Sequence, residues 1–105
     1  MLDLTIYKSR YYEVKMSESE VIHIEPPKRK QLKKILSLTK NMKAESLDET
    51  DIDNLYEALT IAVNKNKENK EYSQETIDDI FSLNTLFAFF DGYYTWVAEN
   101  LDQKN

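Results

Sequence analysis

The chain has no cysteine, one glycine, one histidine and two prolines in 105 residues. Without cysteine, disulfides and thiolate chemistry are excluded. A single glycine cannot build a glycine-rich phosphate loop, and a single histidine leaves a His-based catalytic or metal centre without a second member. The charged groups show no nucleophile–base–orienter set, so no enzyme activity and no cofactor are expected. No apolar run reaches membrane-spanning length, so no membrane association is expected. Residues 1–10 also lack the basic-then-apolar layout of a signal peptide. The expected location is therefore the cytoplasm. Hydrophobic residues make up 41%, aromatic residues 11% and charged residues 31%. That balance suits one small folded domain, 1–105, whose apolar content sits in large side chains.

Charge is divided unevenly. Residues 1–43 carry ten Lys/Arg against five Asp/Glu, and residues 44–105 carry four against fourteen, so +5 and −10 sum to the net −5. The basic residues gather at Lys28-Arg29-Lys30-Gln31-Leu32-Lys33-Lys34. This run reads as the solvated face of a helix that also attracts the acidic helices after it. Contact with nucleic acid is the alternative.

Leu2, Leu4, Ile6, Tyr12, Val14, Met16, Ile22 and Ile24 are all even-numbered, and most odd positions between them are polar. This alternation predicts antiparallel strands over Leu2–Tyr7, Tyr11–Met16 and Val21–Glu25. Directly opposed residues share a sheet face, so even positions must oppose even positions. Three-residue turns at Lys8-Ser9-Arg10 and Glu18-Ser19-Glu20 would pair Ile6 with Tyr12 and Met16 with Ile22, with five-residue loops as the other solution. His23 falls on the polar face and reads as solvent-facing.

Pro26-Pro27 ends the strand region, and helical spacing takes over. A first helix is expected over about 27–42, with Leu32, Ile35, Leu36, Thr39 and Met42 as its stripe. A second starts at Thr50 as N-cap, with Asp51 and Asp53 near the positive end of its dipole. Ile52, Leu55, Tyr56, Leu59, Ala62 and Val63 form its apolar face. Residues 64–71 read as an exposed connection. Ser73 is the next N-cap, with Tyr72 and Ile77 at hydrophobic-staple spacing. Glu75, Asp78 and Asp79 suit the first turns of that helix better than a metal site. Asp51-Ile52-Asp53-Asn54-Leu55 does not complete a calcium loop. The predicted fold is α+β, mainly α: a small N-terminal antiparallel sheet of two to three strands within 1–25, packed on about four helices within 27–101.

The last predicted helix, about 85–101, is unusual. Its apolar side chains run from Trp96 and Phe89 through Tyr93, Leu86, Val97, Phe90, Leu101 and Tyr94 to Phe87 and Ala98. They span an arc of roughly 200°, against the roughly 100° that a surface helix needs. Such a helix is either packed from two directions or packed on one side and offered to a partner on the other. The second is the expectation in a chain this small. Gly92, inside this helix, either admits the close approach of another helix or lies exposed on the polar side.

The order of these elements resembles the small tail assembly chaperones of long-tailed phages and prophages of low-GC Gram-positive bacteria. The similarity rests on three segments. The first is Tyr12-Glu13-Val14-Lys15 with Val21-Ile22-His23-Ile24-Glu25-Pro26-Pro27-Lys28. The second is Leu55-Tyr56-Glu57-Ala58-Leu59 through Val63, followed by Asn66-Lys67-Glu68-Asn69-Lys70. The third is Ile77-Asp78-Asp79-Ile80-Phe81-Ser82-Leu83-Asn84-Thr85-Leu86 with Phe89-Phe90-Asp91-Gly92-Tyr93. These are patterns of apolar spacing and turns rather than a catalytic signature.

The resemblance implies a protein that coats the tape measure protein, keeps it soluble and recruits tail tube subunits during tail assembly. It implies self-association, a place in the bacterial host cytoplasm, and absence from the mature virion. It also implies that a frameshifted longer form could continue beyond Leu101–Asn105. On this reading Phe87, Phe89, Tyr94 and Trp96 are the expected partner contacts, while Leu86, Phe90, Tyr93 and Val97 belong to the core. The acidic C-terminal region would keep coated complexes apart. The alternative function is a small nucleic-acid-binding regulator using 28–34. A structural subunit retained in the virion is a third reading.

Overall fold

The computed structural model describes residues 11–42 and 45–102. The expected strand Leu2–Tyr7 and its turn at 8–10 lie outside the described residues. Strands β1 (Tyr12–Ser17) and β2 (Glu20–Ile24) form an antiparallel hairpin. Helices α1 (Arg29–Leu38), α2 (Glu49–Val63), α3 (Gln74–Ile80) and α4 (Leu83–Asp102) follow it. The chain is thus α+β and mainly helical.

The parity rule holds over the central part of the hairpin. Tyr12 opposes Ile24 and Val14 opposes Ile22. Ile22 and Ile24 are buried and Tyr12, Val14 and Met16 half-buried, whereas Glu13, Lys15 and Val21 are exposed. The pairing of Met16 with Ile22 is incorrect; Ile22 lies two residues away, opposite Val14. The turn contains only Glu18-Ser19, and Ser17 opposes Glu20. An even-length turn would set odd residues against even ones. A register slip between Lys15 and Ser17 leaves Met16 as the extra residue and restores the match.

Residues 64–71 are exposed as expected, except for half-buried Lys65 and buried Asn66, but they do more than connect two helices. The Glu25 N–H donates to the Lys65 carbonyl at 2.9 Å, and the Lys67 N–H donates to the His23 carbonyl at 2.8 Å. Asn66 bridges to Ile24, so this segment lies along β2 as a short third rung. Asn66 is buried. Its amide nitrogen donates to the Val63 and Lys70 carbonyls at 2.8 and 3.0 Å, and its Oδ1 accepts from the Lys70 N–H at 2.8 Å. Asn64 exchanges a similar pair of bonds with the backbone of Tyr72. Asparagine amides here substitute for the backbone partners that a loop lacks. Asn69 takes the left-handed conformation, φ 58°, to which asparagine is well suited.

The helix boundaries follow capping chemistry. In α1, the Gln31 side chain accepts from the Lys28 N–H at 3.1 Å. The helix stops at Leu38, short of the expected 42, where Thr39 Oγ1 donates back to the Ile35 carbonyl. Asp48, not Thr50, caps α2. Its Oδ1 accepts from the Asp51 N–H at 2.8 Å while Asp51 accepts from the Asp48 N–H at 3.2 Å. Two reciprocal bonds satisfy two orphan donors, an arrangement open to Asp48 and Asp51 at N-cap and N3. Ser73 caps α3 as expected, accepting from the Thr76 N–H at 3.1 Å. Helix α4 begins two residues early because Ser82 accepts from the Thr85 N–H.

The core draws Ile22 and Ile24 from β2, Ile35 from α1, Leu55, Ala58, Leu59, Ala62 and Val63 from α2, and Ile77 from α3. Phe81, Leu86, Phe89, Phe90 and Tyr93 complete it.

Candidate partner-binding surfaces

The four candidate contact residues divide on inspection. Phe89 is only 5% exposed and belongs to the core, so its assignment to a partner surface is corrected. Its ring packs against Tyr12, Phe81, Phe90 and Tyr93, with centroids 5.1–6.0 Å apart. Phe87, Tyr94 and Trp96 are half-buried, as is Val97, which was assigned to the core. Leu86, Phe90 and Tyr93 are buried as expected.

Helix α4 is therefore packed from two directions. The Tyr12 ring, from β1, stacks on Trp96 at 5.7 Å and 22° and meets Tyr93 edge-on. Its hydroxyl donates to the Phe89 carbonyl at 2.9 Å. On the other flank, the Tyr94 hydroxyl bonds Thr39 Oγ1 at 2.5 Å, tying α4 to the end of α1. Gly92 serves a close approach, but of a strand side chain rather than a helix: a Cβ there would overlap the Tyr12 hydroxyl.

The residue missed in the sequence is Leu36. It was placed on the buried stripe of α1, yet it is 49% exposed. Ile35 and Leu36 project about 100° apart, and only Ile35 is directed to the core. Leu36, Thr39, Lys40, Met42 and Tyr94 line an open groove of about 390 Å³ between α1 and α4. Of the candidate contacts, Tyr94 is the one that borders this groove.

The basic segment is solvent-facing, as expected. Lys28, Arg29, Lys30, Lys33 and Lys34 are all exposed. Among the described residues, the segment makes one ion pair with the acidic helices, Lys34 to Glu57 at 4.0 Å. Of the attraction expected between α1 and the helices after it, that pair is the one direct contact among the described residues.

His23 lies on the polar face of β2 but is half-buried and held. Its Nδ1 stands 2.6 Å from Glu68 Oε2, its Nε2 stands 3.3 Å from Glu13 Oε2, and its backbone N–H donates to Glu68 Oε1 at 3.0 Å. That backbone bond, then the ring contact, lowers the Glu68 carboxyl below its ordinary range. Among the described residues, no three His, Asp or Glu side chains are grouped to hold a metal ion. No helix there is long and apolar enough to cross a membrane.

Burial pushes the phenols of Tyr12, Tyr93 and Tyr94 upward, with Asp91 adding to the effect at Tyr12 and Tyr94 at Tyr93. Tyr56 is raised by burial and then Asp78; Tyr72 is pushed up to about 12 by burial and then by its bond to Glu20. A raised phenol holds its proton more tightly in the folded state. Its contribution to stability is complete below the ordinary tyrosine value of about 10 and is lost as pH rises through the folded value. Stability should therefore fall steeply above about pH 10. Phenolate absorbance and loss of the helical circular dichroism signal should rise together. Full phenolate formation near the ordinary value with the helix signal intact would contradict this.

Comparison with protein families, curated proteins and solved structures finds no match to the chain in any of the three.

Proposed function

We propose that the protein is a tail assembly chaperone, holding tape measure protein soluble and recruiting tail tube subunits while a phage tail is built. Support comes from the resemblance in element order and from the small α+β, mainly helical architecture. The carrying observation is the open groove between α1 and α4, where exposed Leu36 lies with Met42 and Tyr94. A helical client could place an apolar side chain there without the chaperone unfolding. Phe87, half-buried and two turns before Tyr94 on the same face of α4, extends the partner surface only at its exposed edge, whereas Trp96 lies on the opposite flank against Tyr12. The acidic charge of residues 44–105 would keep coated complexes apart.

Co-expression with a tape measure protein tests this reading. The client should stay soluble and co-purify at high salt, because apolar burial is little screened. Leu36→Glu should release the client while leaving the melting temperature near that of the parent protein, since Leu36 is half in solvent. An insoluble client beside folded wild-type protein would overturn the function. Undiminished rescue by Leu36→Glu would overturn the groove as its site. Failure of the client to bind, together with tight salt-sensitive binding of DNA or RNA, would favour the nucleic-acid regulator.

A further inference from the structure

We propose that a second groove, between α1 and α2, docks an acidic amphipathic helix of a partner protein. It is lined by Lys28, Lys30, Gln31, Lys34 and Ile61, and its volume is about 620 Å³. It lies on the opposite flank of α1 from the Leu36–Tyr94 groove and does not depend on the chaperone reading. Lys28 and Lys30 are exposed and have no carboxylate within ion-pair distance among the described residues. Ile61, half-buried, and the methylene stems of the lysines form an apolar floor beneath the ammonium groups.

Two features favour a carboxylate-bearing helix over nucleic acid. The floor is apolar and no aromatic ring among the described residues lines the groove, so unpaired bases have no platform there for stacking. The positive face is short: α1 has ten residues, about 15 Å at the helical rise. A long polyanion would run past it onto the net −10 remainder of the chain, residues 44–105. A few turns of acidic helix would not.

The test uses the full chain and two synthetic helical peptides with the same leucine stripe. One carries glutamate and the other lysine at the polar positions. Fluorescence anisotropy should show the glutamate peptide binding at least about tenfold more tightly than the lysine peptide, and more weakly as salt rises. Lys28→Glu with Lys30→Glu should cost about tenfold in that affinity, and Ile61→Ala should weaken it severalfold. Thermal melts would confirm that each variant is folded. Leu36→Glu should leave peptide affinity unchanged, which separates this groove from the proposed client site. Equal binding of the two peptides, or none, overturns the proposal. So does tighter binding of a DNA duplex that ignores Ile61→Ala, which assigns the lysines to nucleic acid. Concentration-dependent self-association abolished by the lysine double variant would assign the groove to a second copy of the chain and overturn it as well.

Discussion

Phe89→Ala is expected to destabilise the fold by about 3–5 kcal/mol, a large part of the roughly 5–15 kcal/mol available to a domain of this size. Phe89 is the meeting point of four rings from three places: Tyr12 on β1, Phe81 before α4, and Phe90 and Tyr93 on α4 itself. Truncation removes a buried ring and leaves a cavity whose walls belong to different elements, so collapse cannot close it cheaply. Trp96→Ala should cost less, because Trp96 is half-buried, packed against the Tyr12 and Tyr93 rings. Urea unfolding of both variants measures the order. The contrast also separates core from contact surface. If Phe89→Ala kept parental stability and instead lost a client, the ring would be a binding group and its place in the core would be wrong.

The same residues show what was legible in the sequence. The width of the α4 arc correctly reported how much apolar surface the helix carries. It could not report what covers that surface, because the cover comes from Tyr12, 77 residues earlier than the carbonyl it bonds. Alternation along β1 and β2 gave the faces of Ile22 and Ile24 but not the register, which depends on the Lys15–Ser17 slip. Period alone does not locate a bulge that preserves period. The loop at 64–71 is exposed as its polarity implies, but its pairing with β2 was not legible. Asn64 and Asn69 are exposed, whereas the Asn66 side chain makes backbone-like bonds while buried, and composition does not tell the three apart. Asp48 and Thr50, two residues apart, are both of capping type, and only the reciprocal Asp48–Asp51 pair decides between them. Exposed Leu36 was hidden by its position beside Ile35 on one broad stripe. For the candidate surfaces, the sequence identified Tyr94 and the basic segment, but not the grooves that α1 forms with its neighbours on either side.

Gly92→Ala is expected to destabilise the protein although alanine is the better helix former by about 1 kcal/mol. A Cβ at this position would overlap the Tyr12 hydroxyl and stand 3.0 Å from its Cζ. Tyr12 would have to withdraw, giving up its bond to the Phe89 carbonyl and its packing on Trp96 and Tyr93. One such bond contributes about 0.5–1.5 kcal/mol, and each aromatic contact a similar amount. The net loss should be about 1–2 kcal/mol after the propensity gain. Removing the obstruction should reverse the sign. In a Tyr12→Ala background, itself less stable, Gly92→Ala should stabilise by about 1 kcal/mol, because only helix propensity remains. A double-mutant cycle in urea measures that reversal directly. If alanine stabilised the parent protein too, Tyr12 would not rest on α4 at Gly92, and the hairpin would not be the second wall that makes α4 a central helix.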